Sequence, residues 1–483
     1  MSPPGRIAKI FQQRRAGVLL HLTSLPGPHG VGDLGRSSVS FASWCQSAGI
    51  SLWQMLPIGP VGYGASPYSS TSSFAAEPLL VSLERLVEDG LLARKRLKAP
   101  QRLGQGPCDF AAARAFKRPR FAEAFDAFQK KKKHHSPDYV RFVRHTRHWL
   151  QGWCAFASGK EGGSCDLHAF LQYQFDKQWK KFRSECHGKG VQLVGDLPIF
   201  VTLDSADVAD RPELFRLDRH GKPTVVTGVP PDCFSTNGQR WGHPHYAWAA
   251  HRREKFRWWT ARVATALERF DALRIDHFVG LVHAFEIPGT AHTARKGHWR
   301  PTPGRELLTA IEHRLGRLPL IAEDLGAVTP AVEKLRDDFG LPGMKLLHNA
   351  FYSDDSRDLP QYHPKHCVVY PGTHDNDVSR GWVKHLPRSA VARFQSIAGG
   401  SIPCPEKALI RMAYASPACT AIVAMQDILG LGPDSRMNVP GRANGNWKWR
   451  LPPKLLPKRV AKTLRALAAR TNRLAKGRRL RES

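Results

Sequence analysis

The chain is poor in acid. Its 483 residues hold 41 Asp and Glu against 72 Lys and Arg, a formal net charge of +31. Such a field attracts nucleic acid and acidic surfaces without specifying either. No run is long and apolar enough to span a bilayer, which argues against a membrane helix. The opening MSPPGRIAKIFQQRRAG is basic but lacks the apolar core of a secretory signal, so export is not expected. Nine cysteines are scattered with no CxxC pair, and the count is odd. That disfavours a disulfide framework or a zinc site, and fits reduced thiols in the cytoplasm. No RNA-binding aromatic motif, zinc-knuckle spacing or internal repeat accompanies the charge.

Short apolar runs that end in acid are what the chain does have. Three of them are Ala272-Leu273-Arg274-Ile275-Asp276-His277-Phe278, Ile321-Ala322-Glu323-Asp324-Leu325-Gly326 and Gly372-Thr373-His374-Asp375-Asn376-Asp377. A parallel β-barrel presents its catalytic side chains at the C-terminal ends of its strands. Eight strand-like runs can be read: 17–21, 52–56, 191–196, 272–276, 318–324, 345–351, 367–370 and 420–426. Helical segments fall between them, at Trp258–Phe270, at Arg305–Leu315 with Gly316 as stop, and after Thr329 as N-cap. The expected fold is α/β, a (β/α)8 TIM barrel with inserted subdomains after strands 2 and 3 and no C-terminal β domain. An open doubly wound sheet satisfies the periodicity as well.

Residues 1–483 thus read as one catalytic barrel. Residues 80–190 form a helical insertion, 200–255 an insertion with a substrate loop, and 454–483 a basic C-terminal helix or tail. Charge concentrates in that tail and in Lys130-Lys131-Lys132-Lys133-His134-His135. In the tail Leu464, Leu467, Ala468, Leu474 and Ala475 recur at helical spacing among Arg and Lys. A solvated outer helix explains this better than a docking element, and non-specific anionic contacts are the only further role expected of it.

Carboxylates gathered on one rim suit a glycosidic bond, where one attacks and another donates the proton. Arg274 and Asp276 share a strand face, and a guanidinium beside a carboxyl favours its ionised form. Glu323 follows apolar residues, and a partly desolvated glutamic acid holds its proton longer. His374 and Asp375 offer hydrogen bonds to sugar hydroxyls, and Asp196 braces the pocket. Tyr63, Tyr68 and Trp241 can stack on glucose faces, whereas Trp53 reads as core. Taken singly, each motif is as consistent with a structural ion pair, a cap or a satisfied hydrogen-bond unit.

Together the motifs resemble glycoside hydrolase family seventy-seven, the 4-α-glucanotransferases (amylomaltases, or disproportionating enzymes). The resemblance runs from Leu20-His21-Leu22-Thr23-Ser24-Leu25-Pro26-Gly27 to Gly445-Asn446-Trp447. It includes Gly62 to Tyr68, Gly195 to Phe200, Gly228 to Asp232, Gly238 to Gly242 and Arg436-Met437-Asn438. It implies Asp276 as nucleophile, Glu323 as general acid/base and Asp375 as transition-state stabiliser. It also implies a loop from Phe234 to Gly242 over the acceptor side. Substrate contacts are expected from Tyr63, Tyr68, Asp196, Phe234, Gln239, Trp241, Arg274, His277 and His374. The partners implied are an α-1,4-glucan donor and a glucose or maltooligosaccharide acceptor, with no metal or organic cofactor, no membrane and no specific nucleic acid. Ala65, Glu77, Cys233 and His243 depart from the family pattern, where Asp, Asn, an aromatic and Asn are common. The rival readings are an α-1,4-glucan hydrolase or branching enzyme on a related barrel, and a non-catalytic glucan- or nucleic-acid-binding protein.

Overall fold

A computed structural model describes residues 7–231, 235–442, 444–453 and 455–474. Twelve strands appear in chain order: β1 (Arg15–Leu19), β2 (Leu52–Gln54), β3 (Gln192–Leu197), β4 (Val225–Val229), β5 (Gln239–Pro244) and β6 (Ala272–Ile275). They continue as β7 (His283–Pro288), β8 (His298–Pro301), β9 (Leu320–Ala322), β10 (Gly343–Leu346), β11 (Cys367–Tyr370) and β12 (Thr420–Ala424). Eight close into a barrel in the order β1-β12-β11-β10-β9-β6-β3-β2, all parallel. The remaining four form an antiparallel sheet, β5-β4-β7-β8. The closed barrel settles the choice against an open doubly wound sheet.

Parity along each strand explains the two halves of the core. Leu52, Val194, Ala272, Ile321, Met344, Val368 and Ile422 belong to one buried cluster inside the barrel. Their neighbours Trp53, Leu193, Leu273, Leu320, Val369, Ala421 and Val423 belong to the cluster under the helices. Runs buried on both faces therefore carry no alternation, as sequence-continuous apolar strands should. Trp53 is core: it is fully buried and its indole N–H donates to the Leu20 carbonyl at 2.7 Å.

The structure departs from these expectations in several respects. The sixth barrel strand is Gly343–Leu346, so only the first two residues of the expected run 345–351 are strand, and Leu347–Tyr352 coils as a 3-10 turn instead. Thr329 precedes the helix Pro330–Asp338 but its hydroxyl makes no capping bond and is buried without a partner. The connection after β6 carries β7 and β8, so a third excursion joins the two expected after strands 2 and 3. Helices Phe110–Lys130, Pro137–Glu161 and Cys165–Gly188 fill most of 80–190. Among the described residues no strand follows β12. The tail folds as the helix Lys458–Arg470, burying Ala461, Leu464 and Ala468; Ala475 lies outside the described residues. That helix is not merely a solvated outer one. Arg473, just beyond it, is fully buried at the barrel's N-terminal end.

Candidate active site

One arginine organises the barrel mouth. Arg274 sits on β6 with the interior parity of Ala272, and its guanidinium is buried. One nitrogen, Nη1, donates to both oxygens of Asp196 on β3, at 2.9 and 2.7 Å. The other, Nη2, lies 3.0 Å from Asp276 Oδ1 and 3.9 Å from Glu323 Oε1. Sharing that one atom, the two carboxylate oxygens are no more than about 7 Å apart, a bound that includes the roughly 5–5.5 Å of a retaining pair.

The strand ends hold these acids by main-chain bonds. Asp276 N–H donates to the Leu197 carbonyl at 3.1 Å, and Glu323 N–H to that of Ile275 at 3.1 Å. His277 takes the left-handed conformation, φ 53°, which turns its N–H onto Glu323 Oε2. A non-glycine residue there carries strain that the surroundings must hold in place. Burial pushes the Glu323 carboxyl up to about 8, against the pull of Arg274 and with added push from Asp276. Burial likewise raises Asp196, with Arg274 opposing. His277 is pulled down to about 4 by burial, so its ring is neutral at pH 7; its Nε2 is buried without a partner among the described residues.

Asp375 arrives from the loop after β11. The loop is pinned by Thr373 N–H donating to Asn376 Oδ1 at 2.8 Å. Gly372 lets it close on the ring of His348, because a Cβ there would sit 2.5 Å from that ring. Asp375 is the most open of the acids, its side chain 44% exposed against 27% for Asp276 and 17% for Glu323. His374 Nε2 is 3.3 Å from Asp375 Oδ2, and Asn438 Nδ2 donates to Oδ1 at 2.6 Å. Arg436 reaches the Asp375 carbonyl at 2.8 Å and the Asn438 carbonyl at 2.7 Å.

Aromatic residues wall this group. Tyr68 donates its hydroxyl to Asp196 Oδ2 at 2.7 Å and stacks on His374, with ring centres 5.1 Å apart. Trp241 meets His277 edge-on at 4.9 Å and donates to Gln239 Oε1 at 3.2 Å. Tyr63 stands apart, 78% exposed on the loop after β2. Phe234 lies outside the described residues, as does Cys233. Arg436 and Asn438 belong to a motif that sequence reading singled out without giving it a role. Only the fold reveals that they grip Asp375.

Comparison with known proteins agrees. A family model described as 4-alpha-glucanotransferase matches residues 20–166 and 158–456. A 4-alpha-glucanotransferase of Thermus thermophilus is 42% identical over 505 residues, spanning 95% of this chain and 99% of its own. A chloroplastic/amyloplastic relative of that name from Solanum tuberosum is 39% identical, spanning 91% of this chain and 82% of its own. Amylomaltase from Streptococcus agalactiae, solved in complex with acarbose, superposes with a TM-score of 0.92 at 33% identity, covering 96% of this chain and all of that one. The chain therefore belongs to the 4-alpha-glucanotransferase family, glycoside hydrolase family 77, whose enzymes transfer glucan segments.

Proposed function

We propose a retaining double displacement that moves α-1,4-glucan segments between maltooligosaccharides, starch or glycogen. A carboxylate oxygen of Asp276 attacks the anomeric carbon. The bond from that carbon to the leaving sugar's O4 breaks, and the Glu323 proton passes to O4. The covalent β-glycosyl-enzyme is then opened by the 4-hydroxyl of an acceptor glucan. Its proton goes to Glu323, Asp276 departs, and the α-1,4 bond is remade.

The observation that carries this reading is Arg274 Nη2, which touches Asp276 and stands beside Glu323, while burial raises Glu323's hold on its proton. Two carboxyls beside one guanidinium, with burial favouring the protonated form of Glu323, suit an acid and a nucleophile. Asp375, gripped by Asn438 and His374, supports a role in distorting the sugar toward the oxocarbenium-like state. Tyr68, Trp241, His277 and the more exposed Tyr63 serve as sugar contacts, and Gln239 holds Trp241 in place. Residues 80–190 and 200–255 act as insertions around one barrel unit. A cytoplasmic setting fits the free thiols of all eight described cysteines.

Incubation with maltotriose tests the reaction. Transfer gives a ladder of longer and shorter maltooligosaccharides; glucose and maltose alone would mean hydrolysis and would overturn it.

A further inference from the structure

A second recess lies behind the catalytic bracing, between the end of β3, the loop at 57–75 and the helix Arg257–Arg269. Its cavity volume is about 60 Å³. Two arginines of that helix, Arg262 and Arg269, line it from positions two turns apart. Among the described residues no carboxylate pairs with either guanidinium within 4.0 Å; Asp207 acts on Arg262, and Asp176 and Glu268 on Arg269, from farther away.

Arg262 is 3% exposed. Its Nη atoms hold the carbonyls of Pro198 and Ile199, at 2.5 and 3.3 Å, but Nε has no partner. Arg269 contacts the Phe175 ring with its guanidinium 5.4 Å from the centroid, and burial pulls its pKa down to about 10. Thr202 Oγ1, on the same wall, is buried without a partner. Ser72 Oγ accepts from the N–H groups of Phe74 and Ala75, at 3.2 and 3.0 Å, which leaves its proton to donate. Among the described residues, the side-chain groups left unpaired here are therefore donors. Asp196 also borders the recess, but both its oxygens are taken by Arg274 and Tyr68.

Arg262 Nε and Thr202 Oγ1 are buried donors left unpaired among the described residues, and such donors are costly. We propose that this recess binds a small inorganic anion, of halide or phosphate size, between Arg262, Arg269, Thr202 and Ser72. The anion completes the donor set and stiffens the turn at Pro198–Ile199 that follows Asp196. The recess shares Asp196 and Tyr68 with the catalytic mouth, but the anion site does not depend on which carboxyl attacks.

Chloride NMR line broadening, titrated at constant ionic strength with gluconate as balance, tests it. Saturable broadening is expected, reversed by bromide or inorganic phosphate and weakened about tenfold or more in Arg269→Gln. Thr202→Val provides a second, gentler variant should the arginine change unfold the chain, and it too should weaken binding. Broadening that rises linearly without saturating, as diffuse attraction to a +31 surface would give, overturns the proposal. So does saturable broadening unchanged in both variants, or displacement by glucose 1-phosphate but not by inorganic phosphate.

Discussion

The two ends of the barrel use buried arginine in opposite ways. At the C-terminal mouth Arg274 faces the carboxylates Asp196, Asp276 and Glu323, with Asp375 nearby. At the N-terminal end Arg473 has no carboxylate partner among the described residues. It donates instead to the main-chain carbonyls of Tyr414, Ser416, Ala418 and Arg15, at 2.8, 2.9, 2.9 and 3.1 Å. Arg14 does the same for Thr471, Pro417 and Tyr414, at 3.0, 3.0 and 3.1 Å. Backbone carbonyls do not titrate, so the lower end is fixed at any working pH. Carboxyls do, so the upper end can pass protons and pays in stability for holding them crowded. One end is a clasp and the other the proposed reaction centre.

The widest separation between the ends should come from Asp276→Asn. In the proposed mechanism it removes the attacking oxygen, and disproportionation of maltotriose should fall about 10⁴-fold or more. Thermal stability should hold or rise, because one of several crowded acids becomes neutral. Ladder formation at the wild-type rate would end the assignment of Asp276.

Glu323→Gln comes next, with a loss of about 10²–10⁴ in kcat. It also has a pH signature. Burial raises the folded-state pKa from 4.5 to about 8, so the folded chain keeps a proton that the unfolded chain gives up across that window. Wild-type stability therefore falls as pH rises from the lower value through the upper, and glutamine removes that fall. The Tm advantage of Glu323→Gln should vanish at acidic pH and be widest above about 8. In the wild type kcat/KM should decline over the same alkaline limb, as the acid loses its proton. A Tm difference independent of pH would place the raised affinity elsewhere.

Arg473→Met tests the other end. It strips at least four carbonyls of a donor and should cost about 3 kcal/mol or more. Activity of the protein still folded should stay within about twofold, because Arg473 touches nothing at the mouth. A large fall in kcat with little change in Tm would mean the ends are coupled.

Sequence reading served these ends unequally. The mouth was legible because an acid directly after an apolar run needs only strand parity to place it. Ala272, Arg274 and Asp276 share a face whatever the rest of the chain does. The clasp was not legible, because Arg473 reads as one more cation in a basic tail until the helix Lys458–Arg470 docks and delivers it. The sixth strand slipped for a related reason. Short apolar runs do not distinguish strand from coil, and register was set by Gly343 pairing with Cys367, where a Cβ would meet Asp324 at 2.4 Å. The sheet of β4, β5, β7 and β8 was hidden in segments whose Pro, Gly, Trp and His suggest loop.

The smallest effect bears on how the mouth borrows the clasp's method. Arg436 holds the carbonyls of Asp375 and Asn438, just as Arg473 holds carbonyls below, and so fixes Asn438 where its amide meets Asp375 Oδ1 at 2.6 Å. Asn438→Ala removes one hydrogen bond to a charged acceptor, worth about 1–3 kcal/mol, so kcat should fall about tenfold with little change in KM. If Asn438 acts only by aiming Asp375, the same substitution made in an Asp375→Asn background should cost almost nothing further. Equal losses in both backgrounds would mean that Asn438 touches the sugar itself, and that the fixed bonds of the mouth serve binding rather than the transition state.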